Sequence, residues 1–403
     1  MLKEKLMLKK IFLPLLAMAV LFTNGCKKEV QAPPQYDKPL PPGAHALRLI
    51  TDPEDIPDFT IASCELQNLR SAIARSLNYL NKTSTQRFFP SGEITHYRAL
   101  ATLNAFAELL DSGIAGRALA AAIRERFDVY TSVGCDNRGT VLYTGYYTPI
   151  FDGSLQQTER FNYPLYGLPK DLVKGTDGET LGKKLPSGQI VPYPARRQIN
   201  SEQLAGTEVA WLADPFEVYI AHVQGSAKIR TASGELITVG YAANNGHEYK
   251  SVAHELINDG KITSAEMNLT KMIEFFKKNT DLIDQYIDRN PRFVFFQVGS
   301  GEPRGSLNEP VTTMRTIATD KSIYPRACPA FVSTRLPRAI GGAVQKYTYT
   351  GFVLDQDTGG AIRAPGRCDV YMGVGDLAGT MAGQVYEEGR LYYLFLKPSY
   401  ISR

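Results

Sequence analysis

Two aspartates near the C-terminus have the residue type and the surroundings that chemistry needs. They lie in the run Asp355-Gln356-Asp357-Thr358-Gly359-Gly360-Ala361-Ile362-Arg363 and in Cys368-Asp369-Val370-Tyr371. Asp357 and Asp369 thus flank a tight Gly-Gly turn, each next to apolar, strand-like residues. Short loops between strands hold carboxyls at a fixed separation in a partly desolvated setting. A carboxyl kept protonated there at neutral pH can give its proton to a leaving oxygen, as cleavage of a glycosidic bond requires. Asp320, within Ala318-Thr319-Asp320-Lys321-Ser322-Ile323-Tyr324-Pro325, is a third aspartate between strand-like segments. Each of the three also fits a plain turn cap, and spacing alone does not choose.

Other chemistries fit poorly. Ser226 and Ser300 lack the G-x-S-x-G elbow, and the chain holds only five His. His247 and His254, each followed by Glu, are seven apart, which is not the HExxH spacing of a zinc protease. Gly299-Ser300-Gly301-Glu302-Pro303-Arg304-Gly305 matches neither glycine-rich phosphate motif and reads as a turn. No CxxC is present, which weakens metal and redox readings, and neither a metal nor a cofactor is expected.

The elements that must position the acids follow from periodicity. Leu66, Leu69, Ile73, Leu77 and Leu80 recur at helical spacing, as do Leu100, Leu103, Phe106, Leu109 and Leu110, and Leu119 to Phe127 reads as a third helix. From Thr140 to Pro149 the residues become β-branched and aromatic, predicting a strand. Hairpins and loops are expected over 152–197, a strand over Glu217 to Val223, and helices over Gly246 to Gly260 and Thr263 to Asn279. A further strand is expected from Arg292 to Val298, and strands separated by turns continue to Leu396. Helices, a strand, a mixed insert and then strands imply a β domain interrupted by a second one.

The N-terminus reads as an export signal. Lys3, Lys5, Lys9 and Lys10 precede an apolar stretch, Ile11 to Phe22, too short for a comfortable membrane span. It ends at Gly25-Cys26, which resembles a bacterial lipoprotein processing site, with Thr23 where that signal usually has Leu. Lipidation of Cys26 is expected over an ordinary cleaved signal with an incidental cysteine, and Lys27, where the inner-membrane retention signal has Asp, favours the outer membrane. Pro33, Pro34, Pro39, Pro41 and Pro42 then form a stiff tether. Residues 1–25 hold four Lys and one Glu, so their removal takes the formal charge from +4 to +1. A nearly neutral body gives no electrostatic footprint for nucleic acid. With Cys26 lipidated, Cys64, Cys135, Cys328 and Cys368 remain. In an oxidising periplasm they would pair Cys64 with Cys135 and Cys328 with Cys368, or stay as buried thiols.

Several stretches together resemble the family of the membrane-bound lytic murein transglycosylase A. They are Tyr143 to Pro149, Val223 to Ser226, Tyr241-Ala242 with Asn245-Gly246-His247, Asn290-Pro291 with Phe293 to Phe296, and Asp357 to Tyr371, in the family's order. The last resembles the domain named for three aspartates, onto which Asp320, Asp357 and Asp369 fall. The fold implied is mainly β with N-terminal helices (α+β): a double-psi β-barrel built from both chain ends, with a smaller β-rich domain inserted. The divisions expected are a signal at 1–25, lipidated Cys and tether at 26–57, and helices with the first barrel strand at 58–149. The insert follows at 150–290 and the C-terminal barrel part at 291–403.

The activity implied is cleavage of the β-1,4 bond between N-acetylmuramic acid and N-acetylglucosamine, forming 1,6-anhydromuramic acid without water. The resemblance puts Asp369 in the role of acid and then base, with Asp357 and Asp320 in support. Thr144, Tyr146, Gln224, Gly225, Ser226, Asn245, Gly359 and Gly360 fall on glycan-binding positions. The protein expected is a monomer at the periplasmic face of a Gram-negative outer membrane, acting on peptidoglycan strands. Asn244 stands where some members carry lysine, and Cys368 before Asp369 is unusual. The rival expectations are a hydrolase on the same fold and a wall-binding lipoprotein without activity, the latter disfavoured by retention of all three aspartates.

Overall fold

The computed structural model describes residues 34–401, apart from 177, 265 and 300. The export signal, Cys26 and Ser300 lie outside the described residues. Apolar spacing builds the helices first. Helix α1 (Leu69–Leu80) buries Leu69, Ala72, Ile73, Ser76, Tyr79 and Leu80, one face of a 3.6-residue turn. Helix α2 (His96–Asp111) starts at Thr95, whose hydroxyl accepts from the Arg98 N–H at 3.1 Å. Helix α3 (Gly116–Arg126) runs straight into a strand. Phe59, Phe106, Phe331 and Phe352, all fully buried, meet largely edge-on where the helices back onto the sheet. Each such burial stabilises by about 1.5–3 kcal/mol.

Strands β1 (Leu47–Leu49), β2 (Phe127–Ser132) and β3 (Val141–Thr148) come from the N-terminal part. Pro149 then turns the chain into a second sheet, which begins with β4 (Ile150–Ser154) and β5 (Tyr163–Tyr166). A three-stranded ribbon of β6 (Leu172–Lys174), β7 (Thr180–Lys184) and β8 (Ile190–Val191) follows. The second sheet continues with β9 (Glu208–Leu212), β10 (Ser226–Arg230), β11 (Leu236–Asn244) and β12 (Val294–Gly299), in the order β12-β11-β10-β4-β9-β5. One strand therefore changes sides. Residues 294–299, expected within the C-terminal barrel part, pair with β11 of the smaller sheet. Period-2 patterning marks a strand but carries no information about its partner.

Helices α4 (Ser201–Leu204) and α5 (Pro215–Gln224) lie between these strands. The strand expected over Glu217 to Val223 is in fact α5. Asp214 caps it by accepting from the Phe216 N–H at 2.7 Å, Pro215 opens it, and Gly225 in the left-handed region closes it. Those end signals outweigh the β-branched residues between them. The expected helix over Gly246 to Gly260 shortens to α6 (Val252–Asn258), because Ser251 caps there and leaves Gly246 to Lys250 as loop. Likewise α7 (Leu269–Lys278) starts only at the Asn268 cap, and α8 (Ile283–Ile287) follows it.

The chain then returns with β13 (Thr316–Ala318), β14 (Pro329–Ile340), β15 (Ala343–Asp357), β16 (Arg367–Val374), helix α9 (Asp376–Ala382) and β17 (Tyr386–Leu396). The order β17-β14-β15-β13-β16-β3 closes on itself through a β17–β3 pairing, giving a six-stranded double-psi barrel built from both ends of the chain. Closure satisfies every edge of those six strands. Arg315 ties the N-terminal segment to the barrel, its guanidinium donating to the carbonyls of Gln67 and Phe352 and to that of Glu65.

Candidate active site

The two acids flank one short strand. In β13, Ala318 is in register with Asp357 of β15 on one side and with Asp369 of β16 on the other. Adjacent strands are about 4.8 Å apart, so the two backbones stand roughly 10 Å apart with only a small residue between. On the far side of β16, parallel β3 puts Thr144 beside Asp369. Alternation along the two strands then collects Thr144, Tyr146, Arg367, Asp369 and Tyr371 on one face.

Asp357 is buried and firmly held. Its Oδ1 accepts from the backbone N–H groups of Ser306 and Thr358, and its Oδ2 from the Tyr146 hydroxyl, all at 2.8 Å. Ser306 reaches it because residue 305 is glycine: a Cβ there would lie 2.9 Å from the Gln356 carbonyl oxygen and 3.0 Å from the Asp357 carboxyl carbon. Burial raises the proton affinity of Asp357 above the ordinary carboxyl value, and those three donors and nearby Lys321 offset only part of the rise.

Asp369 is in the opposite condition. The side chain is partly exposed, yet its Oδ1 is shielded and has no hydrogen-bond partner. Burial pushes its pKa up to about 7, against the Arg367 cation and the Thr144 hydroxyl, with negative Asp357 adding to the rise. The pair is thereby split. One carboxyl is tied down by three donors, and the other, with a bare Oδ1, holds a proton near neutrality and can surrender it.

Asp320 is a clamp. Its Oδ1 accepts from the Ser322 N–H at 3.0 Å and hydroxyl at 2.6 Å, and its Oδ2 from the Ala364 N–H at 2.9 Å. It pins the loop entering β16, where Ala364 has a positive φ of 66°. Asp320→Ala is expected to lower stability by about 1–3 kcal/mol through the orphaned Ala364 N–H. It should reduce turnover with little change in KM, and urea unfolding and kinetics on one preparation check both.

The expected glycan contacts divide. Tyr146 bridges to Asp357, and its ring packs against Tyr371 at 5.2 Å between centroids. The Gln224 side-chain Oε1 accepts from the Tyr147 N–H at 3.1 Å. Ser226 shares a hydrogen bond with Thr148 at 3.2 Å, and Thr148 another with the Tyr371 hydroxyl at 3.0 Å. Gln224 and Ser226 therefore stitch the smaller sheet to β3, while Gly225 between them closes α5. Asn245 departs from expectation. It is buried, donates to the carbonyls of Pro194 and Pro291 at 2.9 Å, and accepts from the Phe293 N–H at 2.8 Å. Its amide is spent on joining three segments and faces no groove. Gly360 lets its loop approach the smaller sheet, a Cβ there lying 3.2 Å from Arg292 Nε and Tyr249 Cβ, and Gly359 precedes it in the same loop.

The expected disulfides are absent: Cys64, Cys135, Cys328 and Cys368 are all free thiols. Cys328 and Cys368 are fully buried and behave as small apolar residues, with burial pushing both thiols up. Sequence reasoning missed Ser306, Arg367 and Tyr371. A glycine before Ser306 and the i, i+2 spacing around Asp369 were the available signals. A cavity of about 460 Å³ opens elsewhere, bordered by Phe88, Glu93, Tyr130, Lys321 and Arg326. None of Asp357, Asp369 or Thr144 lines it, and the chemistry belongs with the partnerless carboxyl oxygen.

Comparison with known proteins agrees with this geometry. Residues 142–297 match the model of the MltA specific insert domain, and residues 315–395 match that of the 3D domain. The membrane-bound lytic murein transglycosylase A of Vibrio cholerae is 29% identical over 276 residues, 66% of this chain and 68% of that protein. That of Escherichia coli K12 is 28% identical over 275 residues, covering 67% and 70%. Among solved structures, the membrane-bound lytic murein transglycosylase of Agrobacterium tumefaciens aligns with a TM-score of 0.72 at 24% identity, over 87% of this chain and 98% of that one. Escherichia coli MltA with bound chitohexaose aligns at 0.65 with 23% identity, over 91% and 96%. At these identities the structures speak for the fold. Fold and relatives together define a glycan-cleaving barrel enzyme with an inserted sheet. The chain belongs to the membrane-bound lytic murein transglycosylase A family.

Proposed function

We propose that this chain is a peptidoglycan lytic transglycosylase in which Asp369 serves first as acid and then as base. The observation that carries the assignment is the shielded, partnerless Oδ1 of Asp369 beside an anchored Asp357. Protonated Asp369 donates to the glycosidic oxygen, and the bond from that oxygen to C1 of N-acetylmuramic acid breaks. The N-acetylglucosamine side leaves with the proton. Asp369, now ionised, takes the proton of the muramic acid C6 hydroxyl, whose oxygen bonds to C1 and closes the 1,6-anhydro ring. No water enters, and attack within one sugar has a large proximity advantage. Asp357 stabilises the positive charge that grows at C1.

The two sheets belong to two domains, with the glycan strand between them against Thr144, Tyr146 and the Gly359-Gly360 loop. Cys26 would carry the lipid that anchors the enzyme at the periplasmic face of the outer membrane. Soluble protein starting at Lys27, incubated with purified sacculi, is expected to release muropeptides one water lighter than hydrolytic fragments, read by mass spectrometry. Hydrated reducing-end muramic acid would instead mean a hydrolase. Wall binding without any product would mean a binding module.

A further inference from the structure

We infer that Arg367 is a positioning residue for Asp369 and acts through the hydroxyl of Thr144. The inference rests on Asp369 being the acid. Arg367 and Asp369 are i and i+2 on β16, and Thr144 is registered beside Asp369 on parallel β3. The Arg367 Nη2–H donates to Thr144 Oγ1 at 3.3 Å. A hydroxyl has one proton, so a Thr144 that accepts from Arg367 keeps that proton for the Asp369 carboxyl registered beside it on the neighbouring strand. The result is a polarised chain, guanidinium to hydroxyl to carboxyl, which strengthens along its length.

Two further observations fit this role. Six buried side-chain polar atoms among the described residues have no partner, and two of them are Arg367 Nε and Asp369 Oδ1. No carboxylate within ion-pairing distance neutralises Arg367 among the described residues, unlike Lys321, whose ammonium is spent on Asp355. A half-buried cation with no carboxylate partner leaves its field directed at the reacting group beside it. Other groups facing Asp369 differ in kind. Cys368 lies on its own strand, Tyr146 on β3 and Asp357 at the end of β15. β13 brings only Thr316, Ile317 and Ala318, and the acid of α9, Asp376, acts on Tyr147. Arg367 is thus the cation that opposes Asp357. Its charge also reaches Tyr249 in the loop from the smaller sheet.

The chemistry needs such a residue because Asp369 changes role within one turnover. Burial and Asp357 favour the protonated form that starts the reaction. Once the proton has left, the carboxylate must persist until the C6 hydroxyl is in place. Arg367 and the oriented Thr144 hydroxyl stabilise that second form.

The test is the pH profile of kcat and kcat/KM on glycan strands for the parent, Arg367→Gln, Arg367→Lys and Thr144→Val. Asp369 must start protonated, so activity of the parent falls as pH rises through about 7. Without the cation the carboxyl holds its proton more tightly, so in Arg367→Gln this alkaline limb should move up by about 0.5–1 pH unit while kcat falls about 10-fold. Arg367→Lys should restore the limb through its charge. Thr144→Val should shift it in the same direction, and the double variant should add little. A folded Arg367→Gln protein with an unmoved limb, or with its whole defect in KM, overturns the proposal. Failure of the underlying assignment is separately visible as anhydro products from Asp369→Asn.

Discussion

Replacing Asp369 by asparagine is expected to abolish release of anhydro-muropeptides from sacculi, with turnover falling about 100- to 10,000-fold or more. The amide keeps the shape but has no acidic proton to give. A second outcome separates this from misfolding. The carboxyl of Asp369 is raised to about 7, chiefly by burial, from an ordinary value of 3.8. Between about pH 4 and pH 7 the folded chain therefore holds a proton that the unfolded chain has lost. Stability falls as pH rises through that window and stays lower above it. Asparagine carries no such charge. The variant should match the parent near pH 4 and exceed it at pH 8, by about 4 kcal/mol at most. Urea unfolding at the two pH values reads the difference. An inactive variant that is also less stable at pH 8 would show that Asp369 is a structural group.

Lys321→Met should have the largest effect on stability, a loss of about 3–5 kcal/mol. Lys321 forms an ion pair with Asp355, whose side chain is completely buried. Asp355 also accepts from the hydroxyls of Thr319 and Tyr393, both at 2.7 Å, beneath the loop that carries Asp320. Removing only the ammonium strands a carboxylate in the barrel wall, with two neutral donors to hold it. The double variant Lys321→Met with Asp355→Leu should recover much of the loss, since it leaves no isolated charge. Urea midpoints of the two variants check this, and equal destabilisation would mean that the ion pair is not the cause. Activity of the single variant should fall with stability, because β15 runs two residues on from Asp355 to Asp357.

Much of the fold was legible along the chain because local patterns decide local elements. Leu69, Ile73 and Leu80 face the core as their spacing says, and the aromatic run from Val141 to Thr148 is a strand. Glu217 to Val223 was misleading, because its apolar residues fit both periods and only the Asp214-Pro215 start and the Gly225 stop settle it as helix. The candidate acids were visible as residue types beside a turn, and the family's motifs gave them order.

Their division of labour was not visible, since it depends on neighbours far away in sequence. Asp357 is held by Tyr146 and Ser306, and Asp369 by what Arg367 and Thr144 do and by what leaves its Oδ1 bare. The same holds for Asn245, turned inward by three backbone partners, for β12, claimed by the smaller sheet, and for four cysteines that do not pair. By itself the sequence determined the N-terminal helices, most strands and the three aspartates. Only the tertiary structure decided which aspartate keeps a proton, because a carboxyl's affinity is set by burial and by charges that strand pairing brings together.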